Sequence, residues 1–176
     1  MKGGSGESTG QDARADDADP NDLDFSLPNP GPGPDPLSLS KLDADLAVLV
    51  FHRDHLCGNC RKQVDDFCER YAEFVEHDAE VIGVLPEPEE RAADWVDHHD
   101  MPYPMLADPD ATLGDRYGQA IKFGPIGRRV DLIGRMPAVA IVDVRREPEL
   151  LWSHTGSNPV DRPALDTILR ELEKFS

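Results

Sequence analysis

The spacing of apolar residues along the chain changes at residue 52. Residues 46–51 (LAVLVF) are apolar without a break, and such a short run predicts a buried strand. From Arg61 to Glu76 the apolar positions recur every three or four residues, which predicts a helix with one buried face. These positions are Val64, Phe67, Cys68, Tyr71, Phe74 and Val75. The pattern therefore predicts a strand followed closely by a helix.

The same patterns predict the remaining elements of an alternating chain. Further strands are expected at 81–85, 138–144 and 149–155, with a short extended segment at 103–107. Further helices are expected from 86–88 onward, from 108–110 to Tyr117, and from Asp161 to Phe175. Strands that alternate with helices pair in parallel, whereas the last two strands are close enough to form an antiparallel hairpin. These elements predict an α/β fold with a central mixed sheet flanked by helices.

Segments of low apolar content divide the chain. Residues 1–22 are rich in Gly, Ser, Asp and Pro, and they predict a disordered acidic tail. Residues 23–176 are then expected to form one domain, which opens with a turn-rich patch at 29–36 and a strand or turn at 37–42. A Gly-rich stretch at 119–136 predicts a loop insertion.

Cys57 and Cys60 fall in the connection between the first strand and its helix. The free N–H groups and the dipole of a helix N-terminus stabilise an anion, and the thiolate anion is the reactive form of cysteine. Cys60 lies about one turn beyond Cys57, within reach of a disulfide. A C-x-x-C motif in this setting therefore predicts redox chemistry.

The same motif is also compatible with a zinc site or with an inert buried pair. Structural zinc sites use the same spacing, and the histidines at 52, 55, 98 and 99 are possible further ligands. In an inert pair, both cysteines are buried and carry no chemistry. Cys68 lies on the apolar face of the predicted helix, so it is expected to pack in the core.

The charge of the chain excludes one class of partner. The 176 residues include 35 Asp plus Glu against 18 Lys plus Arg, a formal net charge of −17. A nucleic-acid-binding surface needs the opposite balance, so no nucleic-acid partner is expected. An acidic surface of this kind resembles those of proteins from extreme halophiles, in which salt shields the charges.

Neither a membrane association nor export is expected. The chain has no run of 18 apolar residues, and its first residues (MKGGSGE) lack the apolar stretch of a signal peptide. Its three cysteines are too few for a disulfide scaffold. We therefore expect a cytoplasmic protein.

Four segments follow one another in an order that a known family shares. Residues 24–29 with 37–39 are similar to an opening hairpin, and residues 48–61, which contain the C-x-x-C, to an active-site entry. Residues 106–118 are similar to an acidic turn and short helix, and residues 136–143 to a proline and strand that face the active site. Together these segments resemble the AhpC/TSA (redoxin, peroxiredoxin-like) family of the thioredoxin-like superfamily. The resemblance implies a thioredoxin-like fold with an N-terminal hairpin extension.

The resemblance also implies roles for individual residues. In this fold the proline before the last buried strand is usually cis and offers main-chain groups to a substrate, a role that falls to Pro137 with Met136. The family's motif Pro-x-x-x-Thr/Ser-x-x-Cys is altered here, because Val50 and Asp54 occupy the proline and hydroxyl positions. The family's arginine would fall near Pro137, and Arg135 is not in register with it.

These observations predict a thiol-dependent oxidoreductase that reduces disulfides or hydroperoxides. Cys57 attacks as a thiolate, and Cys60 resolves the product into a Cys57–Cys60 disulfide. Arg53 and Arg61 are expected to lower the pKa of the attacking thiol. No metal or organic cofactor is expected, and the electrons are expected to come from a thioredoxin or a reductase.

The alternative comes from another functional class. The chain would then be a non-catalytic, thioredoxin-fold binding module with a Cys/His metal or regulatory site. His52 and His55 serve both hypotheses, as ligands in one and as a proton donor or acceptor in the other.

The acidic surface yields a prediction about salt. At a net charge of −17, self-repulsion loosens the domain at low ionic strength. We expect the thermal unfolding midpoint to rise markedly between dilute buffer and molar salt, as measured by calorimetry or circular dichroism. A midpoint that does not change with salt would contradict the halophile interpretation and leave the redox prediction intact.

Overall fold

The computed structural model describes residues 23–118 and 135–176. The tail expected to be disordered, residues 1–22, lies outside the described residues. So does most of the loop insertion expected at 119–136.

Seven strands and five α-helices follow one another along the described chain. The strands are β1 (Ser26–Leu27), β2 (Leu37–Ser38), β3 (Leu46–Phe51), β4 (Ala79–Leu85), β5 (Met105–Ala107), β6 (Ala138–Asp143) and β7 (Glu149–Thr155). The helices are α1 (Gly58–Glu69), α2 (Tyr71–Glu76), α3 (Glu89–His99), α4 (Thr112–Arg116) and α5 (Leu165–Glu173). A 3-10 turn, Leu39–Lys41, follows β2. No helix in the described ranges is long and apolar enough to cross a membrane.

A five-stranded mixed sheet lies at the centre, in the order β5-β4-β3-β6-β7. β3, β4 and β5 pair in parallel, and β6 pairs antiparallel with β3, with Phe51 opposite Ala138. β7 returns antiparallel to β6, with Thr155 also opposite Ala138. The expected mixed sheet with a closing antiparallel hairpin is confirmed. The C-terminal ends of β3 and β7 and the start of β6 therefore meet at one edge of the sheet.

β3 is buried along its whole length because both faces of the sheet are covered. Its even-numbered residues, such as Val48, pack on one side with α1, α2, α3 and α5. Its odd-numbered residues, such as Leu49, pack on the other side with α4 and the N-terminal segment. The N-terminal hairpin of β1 and β2, expected from the sequence, supplies Leu37 and the following turn supplies Leu39 to this second core.

The first long helix begins where the position of the cysteines predicted it, at Gly58 with Cys57 as its cap, and it differs from the prediction at its end. It ends at Glu69, and α2 follows after Arg70, whose backbone leaves helical geometry at φ −108° and ψ 15°. Of the residues expected on the buried face, Val64, Phe67 and Phe74 are fully buried, whereas Val75 is 51% exposed and that part of the prediction is wrong.

The last helix begins at Leu165, not near Asp161 as predicted. The Asp161 carboxylate accepts hydrogen bonds from the backbone N–H and the hydroxyl of Ser157, at 2.8 and 3.0 Å, so it closes a turn instead of capping a helix. Pro163 in addition disfavours helical backbone at Arg162. Residues 161–164 therefore remain outside the helix, and Arg162 lies in a non-helical segment.

The expected cis bond at Pro137 is a second correction. The cis peptide bond within the described ranges is Asp35–Pro36, in the turn-rich patch after β1, and the bond before Pro137 is trans. Pro137 nevertheless stands directly before β6, where the resemblance placed it.

A pair of valines tests how α1 and α2 are held on the sheet. Val64 is fully buried, whereas Val75 is 51% exposed. Val64→Ala removes two methyl groups from the core and leaves a cavity, so we expect a loss of ~2 kcal/mol in the free energy of unfolding. Val75→Ala is the matched control and should change it by less than about 0.5 kcal/mol. Chemical denaturation measures both, and equal effects would contradict the described packing of α1.

Candidate active site

Cys57 and Cys60 form a disulfide at the N-terminus of α1. Their Cα atoms are 5.2 Å apart, and Cys57 Sγ accepts a hydrogen bond from the Cys60 N–H at 3.1 Å. This contact is a helix cap made by sulfur in place of the usual oxygen. Cys57 is 6% exposed and Cys60 is fully buried, so Cys57 is the cysteine nearer to solvent.

The loop before Cys57 is held by Asp54, which is 5% exposed. Its carboxylate accepts the Leu56 N–H at 2.7 Å, and its carbonyl accepts the Cys57 N–H at 3.5 Å. Asp54 thus organises the turn that leads into the helix. Leu56, between Asp54 and Cys57, is 70% exposed.

The sheet brings a second loop to the same place, since β6 starts opposite the end of β3. The Arg53 side chain donates from Nε to the Arg135 carbonyl at 2.7 Å, which ties the two loops together. The Arg53 backbone N–H reaches Cys60 Sγ at 3.4 Å. Arg135 is 5% exposed and forms an ion pair with Asp115 at 3.2 Å. Arg135 thus anchors the loop to α4.

Met136 and Pro137 complete this second loop, and Met136 is 2% exposed. The Pro137 carbonyl accepts the Gly156 N–H at 2.8 Å. A Cβ at Gly156 would lie 2.6 Å from the Asp161 carbonyl oxygen and 2.9 Å from Pro137 Cγ, so only glycine fits there. This contact joins the loop before β6 to the segment after β7.

That third segment delivers a residue that the sequence did not identify. Arg162 Nη2 donates to both sulfurs, at 3.2 Å to Cys60 and 3.4 Å to Cys57. Its Nη1 donates to Gln63 Oε1 at 2.6 Å, and Gln63 is itself buried. The sequence analysis placed Arg162 within a helix that was expected to start at Asp161, so it was not considered as a site residue. The predicted strand order could have identified it, because the segment after β7 must leave the sheet at the end where β3 also ends.

The positive charge of the Arg162 guanidinium is only weakly balanced by the groups it contacts. Burial, followed by repulsion from Arg53, lowers its pKa to about 10. Arg162 therefore remains a cation at neutral pH. Within the described ranges no carboxylate lies within ion-pair distance of it, and its side-chain contacts are with the two sulfurs and Gln63.

The two candidate histidines occupy different environments. His52 is fully buried, and burial, followed by the positive charges of Arg162 and His99, lowers its pKa to about 3. His52 is thus neutral at physiological pH, with its ring 5.4 Å from that of Trp95. His55 instead faces Glu87, with Nδ1 2.6 Å from Oε1.

Arg61 lies on α1, and its side chain is directed toward α3. Its guanidinium carbon lies 4.7 Å from the centre of the Trp95 ring, a cation–π contact, and Nη2 donates to the His55 carbonyl at 3.1 Å. The described contacts therefore bring Arg53 and Arg162 to the sulfurs, while Arg61 supports the loop before them. The predicted catalytic roles of Arg53 and Arg61 stay predictions.

Cys68 is the third cysteine, and it is free and partly buried against the core. Burial and the charge of Asp65 raise its pKa to about 11, so its thiol is protonated and unreactive at neutral pH. The described residues contain no group of three His, Cys, Asp or Glu side chains placed to hold a metal ion.

Comparisons with known proteins agree on the family to which this chain is related. The model of the AhpC/TSA family matches residues 21–146. Peroxiredoxin Bcp of Bacillus subtilis is 28% identical over 79 residues, which are 45% of this chain and 50% of that protein. The chain thus spans about half the length of the curated relatives it matches.

Solved structures extend the likeness over most of the chain. Peroxidoxin BcpB from Mycobacterium tuberculosis superposes with a TM-score of 0.70 at 25% identity, covering 87% of this chain and 94% of that one. AhpC of Enterococcus faecalis superposes with a TM-score of 0.69 at 22% identity, covering 86% and 87%. The predicted thioredoxin-like fold is confirmed.

The different exposure of the two cysteines predicts which one reacts first. In the reduced protein, Cys57 should be alkylated faster than Cys60, with a pKa at least about one unit below the ordinary value of about 8.5. Iodoacetamide labelling across pH, read by peptide mass spectrometry, measures this. In Cys60→Ser, a disulfide reagent should leave its adduct on Cys57. An adduct on Cys60 in the wild-type protein would reverse the assignment.

Proposed function

Since this chain belongs to the AhpC/TSA family, we propose that it is a thiol-dependent oxidoreductase whose working groups are Cys57 and Cys60. One observation carries the proposal. The two sulfurs are paired at a helix N-terminus, and the Arg162 guanidinium donates a hydrogen bond to each of them. The helix N-terminus and the positive charge both stabilise a thiolate.

The proposed reaction begins with the dithiol. The Cys57 thiolate attacks one sulfur of a substrate disulfide, forms a mixed disulfide and expels the other sulfur as a thiolate. Alternatively it attacks a hydroperoxide oxygen, becomes a sulfenic acid and releases an alcohol or water. Cys60 then attacks Cys57 Sγ, which releases the second substrate thiol or water and leaves the Cys57–Cys60 disulfide. Two electrons from a thioredoxin-type donor or a reductase restore the dithiol.

The neighbouring residues have supporting parts in this proposal. Arg53 holds the site together, because its N–H contacts Cys60 Sγ while its side chain binds the loop before β6. Arg61 braces the loop before Cys57 through the His55 carbonyl. Met136 and Pro137 are the proposed substrate-facing residues of the second loop.

We further propose that disulfides are reduced faster than hydroperoxides. The family places a hydroxyl three residues before the reactive cysteine, and here Asp54 occupies that position with its carboxylate engaged by the Leu56 N–H. A carboxylate accepts hydrogen bonds and repels the developing negative charge of a breaking O–O bond. Pro137 also stands where the family has an arginine. Loss of one such donor typically costs about 10²–10³ in rate.

The proposed setting is the cytoplasm, where donor systems keep thiols reduced. The net charge of −17 argues against a nucleic-acid partner. No metal or organic cofactor takes part in the proposed steps.

A direct comparison of two substrates tests this function. With dithiothreitol as the donor, we expect ready reduction of an insulin-type disulfide. Hydrogen peroxide should be consumed about 10²–10³ times more slowly than by family members that have the hydroxyl and the arginine. Cys57→Ser should abolish both activities, and Cys68→Ser, the matched control, should leave them unchanged.

Two outcomes would count against the proposal. Activity that survives Cys57→Ser would exclude the C-x-x-C as the reacting group. Peroxide consumption in the range of efficient peroxiredoxins would contradict the substrate preference while leaving the thiol chemistry in place.

A further inference from the structure

Arg61 joins the loop before Cys57 to the end of α3. Its Nη2 donates to the His55 carbonyl at 3.1 Å, and its guanidinium carbon lies 4.7 Å from the centre of the Trp95 ring. Its other terminal nitrogen, Nη1, lies 3.4 Å from His99 Nε2. The support that Arg61 gives to the loop therefore depends on how its guanidinium is held on α3.

The contacts of His99 determine where its proton lies. Its side chain is 5% exposed, and its Nδ1 lies 2.7 Å from Asp65 Oδ1 on α1. A carboxylate only accepts hydrogen bonds and a guanidinium only donates them. Nδ1 must therefore carry the proton that is donated to Asp65, and Nε2 must be the bare nitrogen that accepts from Arg61. His99 can accept from Arg61 only while its ring is neutral.

Protonation of His99 would reverse the contact with Arg61. Histidine is the side chain that ordinarily changes charge between pH 5 and pH 8. A second proton on the ring goes to Nε2, which then presents an N–H group and a positive charge to the guanidinium 3.4 Å away. The contact with Asp65 survives, because Nδ1 still donates. The hydrogen bond to Arg61 is thus replaced by the repulsion of two like charges.

The surroundings of His99 contain few other groups that change charge in this range. The charged and titratable side chains that face it are Arg61 and Asp65 of α1, His98 of its own helix and His52 of the loop after β3. The pKa of His52 is lowered to about 3, mainly by burial, so His52 stays neutral. His55, on the loop itself, is paired with Glu87, and protonation would strengthen that pair. Among these groups, His99 is the one whose charge would detach Arg61.

We propose that His99 is a positioning residue for the reactive cysteine and that its protonation loosens the loop before Cys57. In its neutral form, oriented by Asp65, it holds Arg61 on the His55 carbonyl. In its protonated form it repels Arg61. The change reaches the reacting residue because the Asp54 carbonyl of the same loop accepts the Cys57 N–H. The inference rests on the proposed thiol chemistry and adds to it a support that is controlled by a proton.

Hydrogen exchange of the disulfide form tests the control of the loop without any thiol chemistry. His99→Gln keeps one donor and one acceptor and cannot gain a charge. We expect the amides of residues 53–57 to exchange equally in the wild type and in this variant at pH 8. At pH 5.5 they should exchange about fivefold faster in the wild type, the factor that corresponds to one lost hydrogen bond. His99→Lys, a permanent cation, should exchange fast at both pH values. His98→Gln, the matched control on the exposed neighbour, should follow the wild type.

Alkylation of the reduced protein tests the effect on Cys57. Iodoacetamide should modify Cys57 at equal rates in the wild type and in His99→Gln at pH 8, and more slowly in the wild type at pH 5.5. Each comparison is made at a single pH, so the general loss of thiolate on acidification cancels. In an Arg61→Gln background, the further change His99→Gln should affect neither exchange nor alkylation, because the connection to the loop is already gone.

Several results would overturn the proposal. If the wild type and His99→Gln exchange alike at pH 5.5, or differ only in thermal midpoint, His99 is structural and the inference fails. A difference that persists in the Arg61→Gln background would exclude the route through Arg61. Altered exchange with unchanged alkylation would show that the loop does not position Cys57. If Cys57 of the wild type reacts no faster than Cys68 at pH 8, the proposed function fails instead, whatever the exchange of the loop shows.

Discussion

The register between β3 and β6 determines which parts of the chain meet at the sulfurs. Phe51 pairs with Ala138, and Ala138 pairs in turn with Thr155 of β7. Three connections therefore leave the sheet at one edge: the loop to Cys57, the loop that ends at Pro137, and the segment that carries Arg162. A register shift of one residue would turn the side chains of β6 to the opposite faces and separate these loops. The assembly of the site therefore depends on this pairing.

Contacts between the loops then hold the site in place with few charged pairs. Arg53 binds the Arg135 carbonyl, and the Pro137 carbonyl binds Gly156, so backbone groups at the edge of the sheet are satisfied within the site. Polar groups can be buried when they are hydrogen-bonded in this way. The guanidinium of Arg162 brings positive charge to both sulfurs, and Arg53 contacts Cys60 Sγ through its backbone N–H. Relative to the family pattern, Asp54 stands at the hydroxyl position and Pro137 at the arginine position.

Much of this arrangement follows from the sequence, and the exceptions have physical causes. The uninterrupted run 46–51 and the position of Cys57 identify the central strand and the capped helix, since burial and helix capping are local properties. Arg162 was missed because its role depends on a tertiary contact with residues about 100 positions away. The turn closed by Asp161 and Ser157 misled the helix prediction, because an aspartate before an apolar period looks like a helix cap. The bond before Pro137 is trans although family resemblance suggested cis, and local sequence carries no signal that distinguishes the two.

The wide separation of Cys57 and Arg162 along the chain has a consequence for biosynthesis. A ribosome delivers the two cysteines about a hundred residues before the arginine that contacts them, and domains of this size fold as units. A nascent chain that already contains α1 thus exposes thiols without their nearby cation. The positive charge that Arg162 brings to the sulfurs is therefore present only when the last segment of the chain has docked.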